Sequence, residues 1–178
     1  MVGKTSIATR YIKEKFEKIE ASNRTINTTC FEKNIYIDNV LFNLKIWDTA
    51  GEEKYHSMAP IFYLRAQGAV IIFDVTNRET FNMATEWFHE LNNYVEGSPK
   101  TILVGNKIDL PDRIISNEEA SKLAKQYNCQ FLEVSALQGT NVSDIFNILT
   151  ASIYKSKLKE EENNININTK IKKIRIKN

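Results

Sequence analysis

The tripeptide Gly3-Lys4-Thr5, near the start of the chain, constrains the fold more than any other feature of the sequence. It matches the second half of the pattern G-x-x-x-x-G-K-[ST], in which a glycine-rich loop leaves a strand and opens a helix. In such a loop the backbone N–H groups and the N-terminus of the helix surround phosphate groups. The tripeptide therefore predicts a helix that begins at Lys4 and binds phosphates at its N-terminal end.

The order of segments along the chain predicts an α/β fold, because apolar runs of strand length alternate with segments of helical period. Asp38-Asn39 lies between two alternating segments and predicts an antiparallel hairpin of strands at residues 30–37 and 41–48. Continuous apolar runs predict buried strands at residues 69–75, 101–105 and 130–134. Helical periods predict helices over 4–16, from Phe81 to Val95, after a capping box at Ser116 and Glu119, and from Val142 to Ile153.

Three further motifs lie where predicted strands end. They are Asp48-Thr49-Ala50-Gly51, Asn106-Lys107-Ile108-Asp109 and Ser135-Ala136. Open α/β sheets bind their ligands at the carboxyl ends of the strands, so these motifs are expected to meet at one edge of the sheet. Four such motifs in this order predict one ligand site, whereas Gly3-Lys4-Thr5 alone would be weak support.

Composition indicates a single soluble domain: the 178 residues are 42% hydrophobic and 26% charged. Two cysteines, Cys30 and Cys129, form neither a metal-binding spacing nor a disulfide framework, which favours a reducing compartment. Residues 155–178 hold eight basic and three acidic side chains, whereas residues 1–154 hold 16 basic and 19 acidic ones. This predicts a mildly acidic domain with a basic, disordered tail, and excludes a nucleic-acid-binding face.

These motifs, together with residues 47–77, resemble the Rab small GTPases of the Ras superfamily, and the endosomal Rab subgroup in particular. The resemblance covers residues 1–154. It implies a three-layer P-loop G domain, in which a mostly parallel sheet with one antiparallel strand carries helices on both faces. It further implies a monomeric, cytoplasmic switch of vesicle traffic that binds GTP or GDP with Mg²⁺. The implied partners are Rab effectors, an exchange factor and a GTPase-activating protein.

The resemblance assigns the phosphate and metal end of the site. Lys4 would place its ammonium between the β- and γ-phosphates, and Gly51 would bring its N–H to the γ-phosphate. Thr5 and Asp48 would hold Mg²⁺, joined by Thr25 when GTP is bound. Gly3 and Ser6 complete the implied phosphate-binding residues.

The base end of the site is implied in the same way. Asp109 would accept hydrogen bonds from N1–H and the exocyclic amine of guanine, which adenine cannot offer in that pattern. Asn106 would accompany it, and the Lys107 stem would cover the base. Ser135, Ala136 and Leu137 would form the last loop, with the Ala136 N–H bonded to the guanine O6.

The sequence departs from the family at Glu52, where the family has Gln. That amide orients the attacking water, and an anionic Glu cannot donate to developing charge, so we expect slow intrinsic GTP hydrolysis. The effector-facing aromatic residues also differ, since Cys30 takes the position of a usual Phe and Phe31 follows it. A one-residue offset turns a side chain to the opposite face of a strand. Trp47 is kept, and Phe62 replaces a usual Tyr.

Two further departures concern the ends of the chain. A chain beginning at Met1 would lack the first, central strand of the G domain, so we expect it to be incomplete, or unfolded without a partner strand. No cysteine follows Cys129 as a prenylation site, and each basic tail residue adds at most ~1 kcal/mol of membrane affinity. Two alternatives therefore stay open: a pseudo-GTPase or nucleotide-independent interaction module, and, less favoured, an ATP-binding P-loop enzyme.

Overall fold

The computed structural model describes residues 1–16, 28–49, 66–94 and 99–175, with side chains as far as Glu162. Its strands are β1 (Thr29–Ile37), β2 (Val40–Asp48), β3 (Gly68–Asp74), β4 (Lys100–Asn106) and β5 (Gln130–Glu133). Its helices are α1 (Lys4–Lys13), α2 (Arg78–Tyr94), α3 (Asn117–Gln126) and α4 (Val142–Arg175). The α/β class and the order of elements predicted from the sequence are confirmed.

β1 and β2 form the predicted antiparallel hairpin, in register from Thr29 opposite Asp48 to Ile37 opposite Val40. The turn residues Asp38 and Asn39 have φ angles of 50° and 63°. Two consecutive left-handed residues match the right-handed twist of the paired strands, and Asp and Asn tolerate that conformation better than most residues. The turn chemistry read from the sequence therefore fixes the hairpin.

β3, β4 and β5 form a second, parallel sheet in that order. Helices cover both of its faces, as expected. One buried cluster joins the sheet to α2 and α3 and includes Phe73, Phe81, Phe88, Ala120 and Ala124. The other joins it to α1 and α4 and includes Ile7, Tyr11, Val104, Ile145 and Phe146.

The hairpin and the parallel sheet are separate sheets, since no ladder joins β2 to β3 among the residues that the structure describes. They nevertheless share one core, because Leu44 and Ile46 of β2 and Val70 and Ile72 of β3 all pack against the cluster under α1 and α4. The two helices therefore hold the two sheets together.

α1 ends at Lys13, three residues before the predicted end at Phe16. Glu14 adopts a left-handed φ of 58°, and its N–H closes the last turn on the Arg10 carbonyl at 3.0 Å. Lys33 of β1 donates to the Tyr11 carbonyl at 2.7 Å, with its ammonium 4.3 Å from the centre of the Tyr11 ring. A lysine from the hairpin thus satisfies a carbonyl that the end of a helix leaves unpaired.

α4 continues to Arg175, which differs from the disordered tail predicted from Lys155. Lysine, glutamate and leucine, which fill residues 157–162, are all good helix formers, and Lys157 and Glu161 have the spacing of a favourable helical pair. Local propensity therefore accounts for the helix as far as Glu162, beyond its last core-facing turns. None of the described helices is long and apolar enough to cross a membrane.

Candidate functional site

Gly3 begins the site, as the residue that caps the N-terminus of α1. Its φ of 92° lies in the left-handed region, and its carbonyl accepts the first helical hydrogen bond from the Ile7 N–H at 3.0 Å. A Cβ at this position would lie 2.5 Å from Nδ2 of Asn106. The backbone angle and the close approach both require glycine at this position. Because residue 3 has no side chain, the first turn of α1 can lie against the end of β4.

Asn106, at the end of β4, joins two parts of the site that are distant in sequence. Its Nδ2 donates to the Val2 carbonyl at 2.9 Å, and its Oδ1 accepts from the Ala136 N–H at 3.1 Å. The residue is only 2% exposed. We expected the Ala136 N–H to face a base oxygen, but it already donates to Asn106. A bound base would have to share this N–H with Asn106.

Asp109 and Ser135, predicted to lie near each other, are in direct contact. The Ser135 hydroxyl donates to Oδ1 of Asp109 at 2.5 Å and accepts from the Gln138 N–H at 3.0 Å. The Ile108 N–H donates to the Val134 carbonyl at 3.3 Å, which holds the two loops together. The Asp109 carboxylate is consequently oriented by the loop that follows β5.

Lys107 lies between these groups, with a left-handed φ of 70°. Its ammonium pairs with Oδ2 of Asp74 at 2.5 Å, and Asp74 also accepts from the N–H and hydroxyl of Thr76 at 2.9 and 2.7 Å. Burial alone would raise the pKa of Asp74, but the hydrogen bonds from Lys107 and Thr76 outweigh burial and hold that pKa below its ordinary value.

Asp74 was missed in the sequence. A detectable signal existed, because Asp74 is a charged residue that ends an apolar strand, at the same edge of the sheet as the predicted motifs.

Asp48 ends β2 and is 4% exposed. Burial raises its pKa, although Thr5 and the Lys4 ammonium lower it in part. For the Lys4 ammonium the effect of burial has the opposite sign: burial lowers its pKa, although the attraction of Asp48 raises it in part. Neither carboxylate oxygen of Asp48 finds a hydrogen-bond partner of good geometry within the described ranges. A buried carboxylate of this kind beside a threonine hydroxyl fits a hard cation such as Mg²⁺, which prefers oxygen ligands.

The exposed face of the hairpin carries two of the predicted effector-facing residues, Cys30 and Trp47. Cys30 and Trp47 are directly opposite each other, and both are exposed, Trp47 by 49%. Phe31 pairs with Ile46 on the other face, as the one-residue offset predicted. Leu137 is 51% exposed, in the loop beside Ala136.

Of the remaining predicted residues, the structure describes only Ser6. Ser6 lies in the first turn of α1, next to Lys4 and Thr5. Thr25, Gly51, Glu52 and Phe62 lie outside the described residues. The structure thus gathers α1, β2 and the loops after β4 and β5 at one edge, while the predicted residues of the switch loops remain predictions.

A helix N-terminus, a buried carboxylate and the loop of Asn106 and Asp109 lie at one sheet edge, an arrangement typical of phosphate- and base-binding α/β domains. Residues 1–155 match the Ras family. The Ras-related protein RABF2a of Arabidopsis thaliana is 41% identical over 147 residues, covering 81% of this chain and 72% of that protein. The Ras-related protein Rab5 of Nicotiana tabacum is 40% identical over the same coverage. The chain therefore belongs to the Ras family, among the Rab-type small GTPases.

Proposed function

We propose that this chain is a guanine-nucleotide switch of vesicle traffic, with endosomal membranes as its site of action. The observation that carries the proposal is the contact of Asp109 with Ser135, beside an Asn106 that joins the phosphate end to the base end. This arrangement would hold a carboxylate acceptor at the edge of a bound base. The similarity to Rab-type relatives supports the same function.

Asp109 would select guanine. Its carboxylate accepts from N1–H and the exocyclic amine of guanine, whereas adenine presents an acceptor at N1 and would leave the carboxylate unpaired. Lys107 would lay its carbon stem along the base, while Asp74 holds its ammonium in place. Asn106 keeps this base end in register with the first turn of α1.

The first turn of α1 would bind the phosphates. Backbone N–H groups after Gly3 and the helix dipole favour negative charge at this position. The Lys4 ammonium, whose pKa burial lowers against the attraction of Asp48, would gain further counter-charge from the phosphates. Thr5 and Asp48, with Thr25, would hold Mg²⁺, which when bound neutralises charge on the phosphates.

Hydrolysis would be slow and serve as a timer. Glu52 cannot donate a hydrogen bond to the transferring phosphoryl group, and its charge is repelled by a triphosphate. The output would be binding of effectors to the hairpin face that carries Cys30 and Trp47, in competition with an exchange factor and a GTPase-activating protein. Membrane attachment through the basic tail alone would be weak.

Titration of the full chain with mant-GDP and mant-GTP, with and without Mg²⁺, tests this function. We expect tight, Mg²⁺-dependent binding of both nucleotides and none of mant-ADP. Asp109→Asn exchanges an acceptor for a donor, so it should weaken GDP and favour xanthosine diphosphate, which offers an oxygen in place of the amine. Absence of guanine-nucleotide binding would instead support the nucleotide-independent interaction module.

A further inference from the structure

Arg10 lies on α1 and contacts the loop after β5, at the opposite end of the site from the phosphate-binding turn. Its Nη2 donates to the Gln138 carbonyl at 3.1 Å. A Cβ on Gly139 would lie 2.5 Å from Nη2, 2.8 Å from Nε and 3.1 Å from Cζ of Arg10. The guanidinium therefore occupies the space that a side chain at residue 139 would fill.

The loop under this guanidinium is the one that orients Asp109. Gly139 has a left-handed φ of 84°, and its N–H donates to the Ser135 carbonyl at 2.7 Å. The Gln138 N–H donates to the Ser135 hydroxyl, which in turn donates to Asp109. A continuous path of contacts thus runs from Arg10 through one turn of backbone to the carboxylate.

We infer that Arg10 is a positioning residue for guanine selectivity, which rests on the function proposed above. Arg10 lies six residues after Lys4, about 9 Å along the helix at 1.5 Å per residue. The same helix would therefore bind phosphates at its first turn and position the base-reading loop less than two turns later. Arginine suits this position because a planar guanidinium can donate and pack flat against a glycine at once.

The test compares GDP with inosine diphosphate, which keeps N1–H but lacks the exocyclic amine. The ratio of their affinities measures how well Asp109 meets the amine, and a competition assay gives it independently of the fraction of protein that is folded. In Arg10→Met we expect the GDP preference to fall about tenfold, the scale of one hydrogen bond to a charged group. GDP should weaken by more than inosine diphosphate.

Two further variants keep the inference falsifiable. Gly139→Ala leaves Arg10 in the sequence but displaces its guanidinium and strains the loop at a φ of 84°, so it should lower the same ratio. Because part of that effect acts through the guanidinium, Gly139→Ala should lower the ratio by less in an Arg10→Met background. Arg78→Met is a matched loss of an arginine that pairs with Glu119 on α3, and it should leave the ratio unchanged.

The outcomes separate the two proposals. If Arg10→Met weakens GDP and inosine diphosphate equally, Arg10 supports the fold only and the inference is overturned. The same holds if the effects of Arg10→Met and Gly139→Ala on the affinity ratio are additive. If the unsubstituted chain binds GDP and the ratio in Arg10→Met is unchanged, the inference alone fails. If the unsubstituted chain binds neither nucleotide, the proposed function fails, and the role of Arg10 fails with it.

Discussion

Asn106 and Val2 are 104 residues apart in the chain, and a 2.9 Å hydrogen bond from the Asn106 side chain to the Val2 carbonyl joins them. The same side chain accepts from the Ala136 N–H. One buried amide therefore holds the start of α1, the end of β4 and the loop after β5 in a fixed arrangement.

Asn106→Ala removes both hydrogen bonds and leaves the Val2 carbonyl and the Ala136 N–H without their partner. We expect the free energy of unfolding to fall by about 2–4 kcal/mol, since each unsatisfied buried group costs about 1–3 kcal/mol. Urea unfolding measures this change. Asn34→Ala is the matched control, because Asn34 pairs with Asn43 on the exposed face of the hairpin and its loss should cost little. Equal effects of the two substitutions would contradict the central role of Asn106.

Gly3→Ala places a methyl group 2.5 Å from Nδ2 of Asn106 and forces a left-handed φ on an L side chain. The backbone term alone costs about 1–2 kcal/mol, and the steric term adds to it. Because Asn106 supplies the clash, Gly3→Ala should cost less stability in an Asn106→Ala background. A double-mutant cycle by urea unfolding gives the coupling, and strict additivity would refute the contact.

Asp74→Asn removes the carboxylate that holds Lys107. The pKa of Asp74 is depressed from its ordinary 3.8, so its ionised form stabilises the fold above that pH, and the benefit is lost as pH falls through the lower, folded-state pKa. We expect a loss of about 1–3 kcal/mol at pH 7, shrinking in more acidic solution below the ordinary pKa. Urea unfolding at a series of pH values checks this, and a difference that grows on acidification would contradict it.

Asp48→Asn tests whether the carboxylate proposed to hold Mg²⁺ destabilises the folded protein. Burial raises the pKa of Asp48, so its charged form destabilises the nucleotide-free protein, and stability is lost as pH rises through the raised pKa. The neutral isostere should therefore raise the thermal midpoint in EDTA at pH 7, yet weaken Mg²⁺-dependent binding of mant-GTP. A lower midpoint in EDTA would show that the carboxylate stabilises the fold instead.

Glu52→Gln should increase intrinsic GTP hydrolysis, because the amide can orient water and donate to developing charge. We expect an increase of about 100-fold, the lower end of what a positioned polar group contributes to proton transfer and charge stabilisation. Single-turnover release of phosphate measures the rate. Equal rates in the two proteins would show that residue 52 does not limit hydrolysis.

The sequence predicted the elements well because the hairpin turn, the capping box and the apolar runs are local signals. The Ser116 hydroxyl accepts from the Glu119 N–H at 3.1 Å, as the capping box requires. The end of α1 could not be predicted in this way, because a lysine on another element satisfies its terminal carbonyl. The extent of α4 was missed since residues 163–175 are rich in Asn and Ile and carry no apolar period of a helix.

In the candidate site too, local motifs could be predicted from the sequence, whereas contacts between distant residues could not. Motif residues such as Asp109 and Ser135 were identified because they follow strands, and they lie in contact. Asp74 and Arg10 escaped because their roles depend on which side chain they meet across the fold. The bond from Ala136 to Asn106 could not be foreseen either, since a motif does not state which of two acceptors a shared N–H takes.

The bond from Lys33 to the end of α1 has a thermodynamic consequence. The hairpin and the proposed phosphate-binding turn act on opposite ends of one helix, so a partner that shifts the hairpin and a nucleotide that engages the first turn would bias the same element. Linkage requires that each then change the affinity of the other by an identical factor. A protein that binds the face with Cys30 and Trp47 would therefore raise or lower the affinity for nucleotide by the same factor by which nucleotide changes the affinity for that protein.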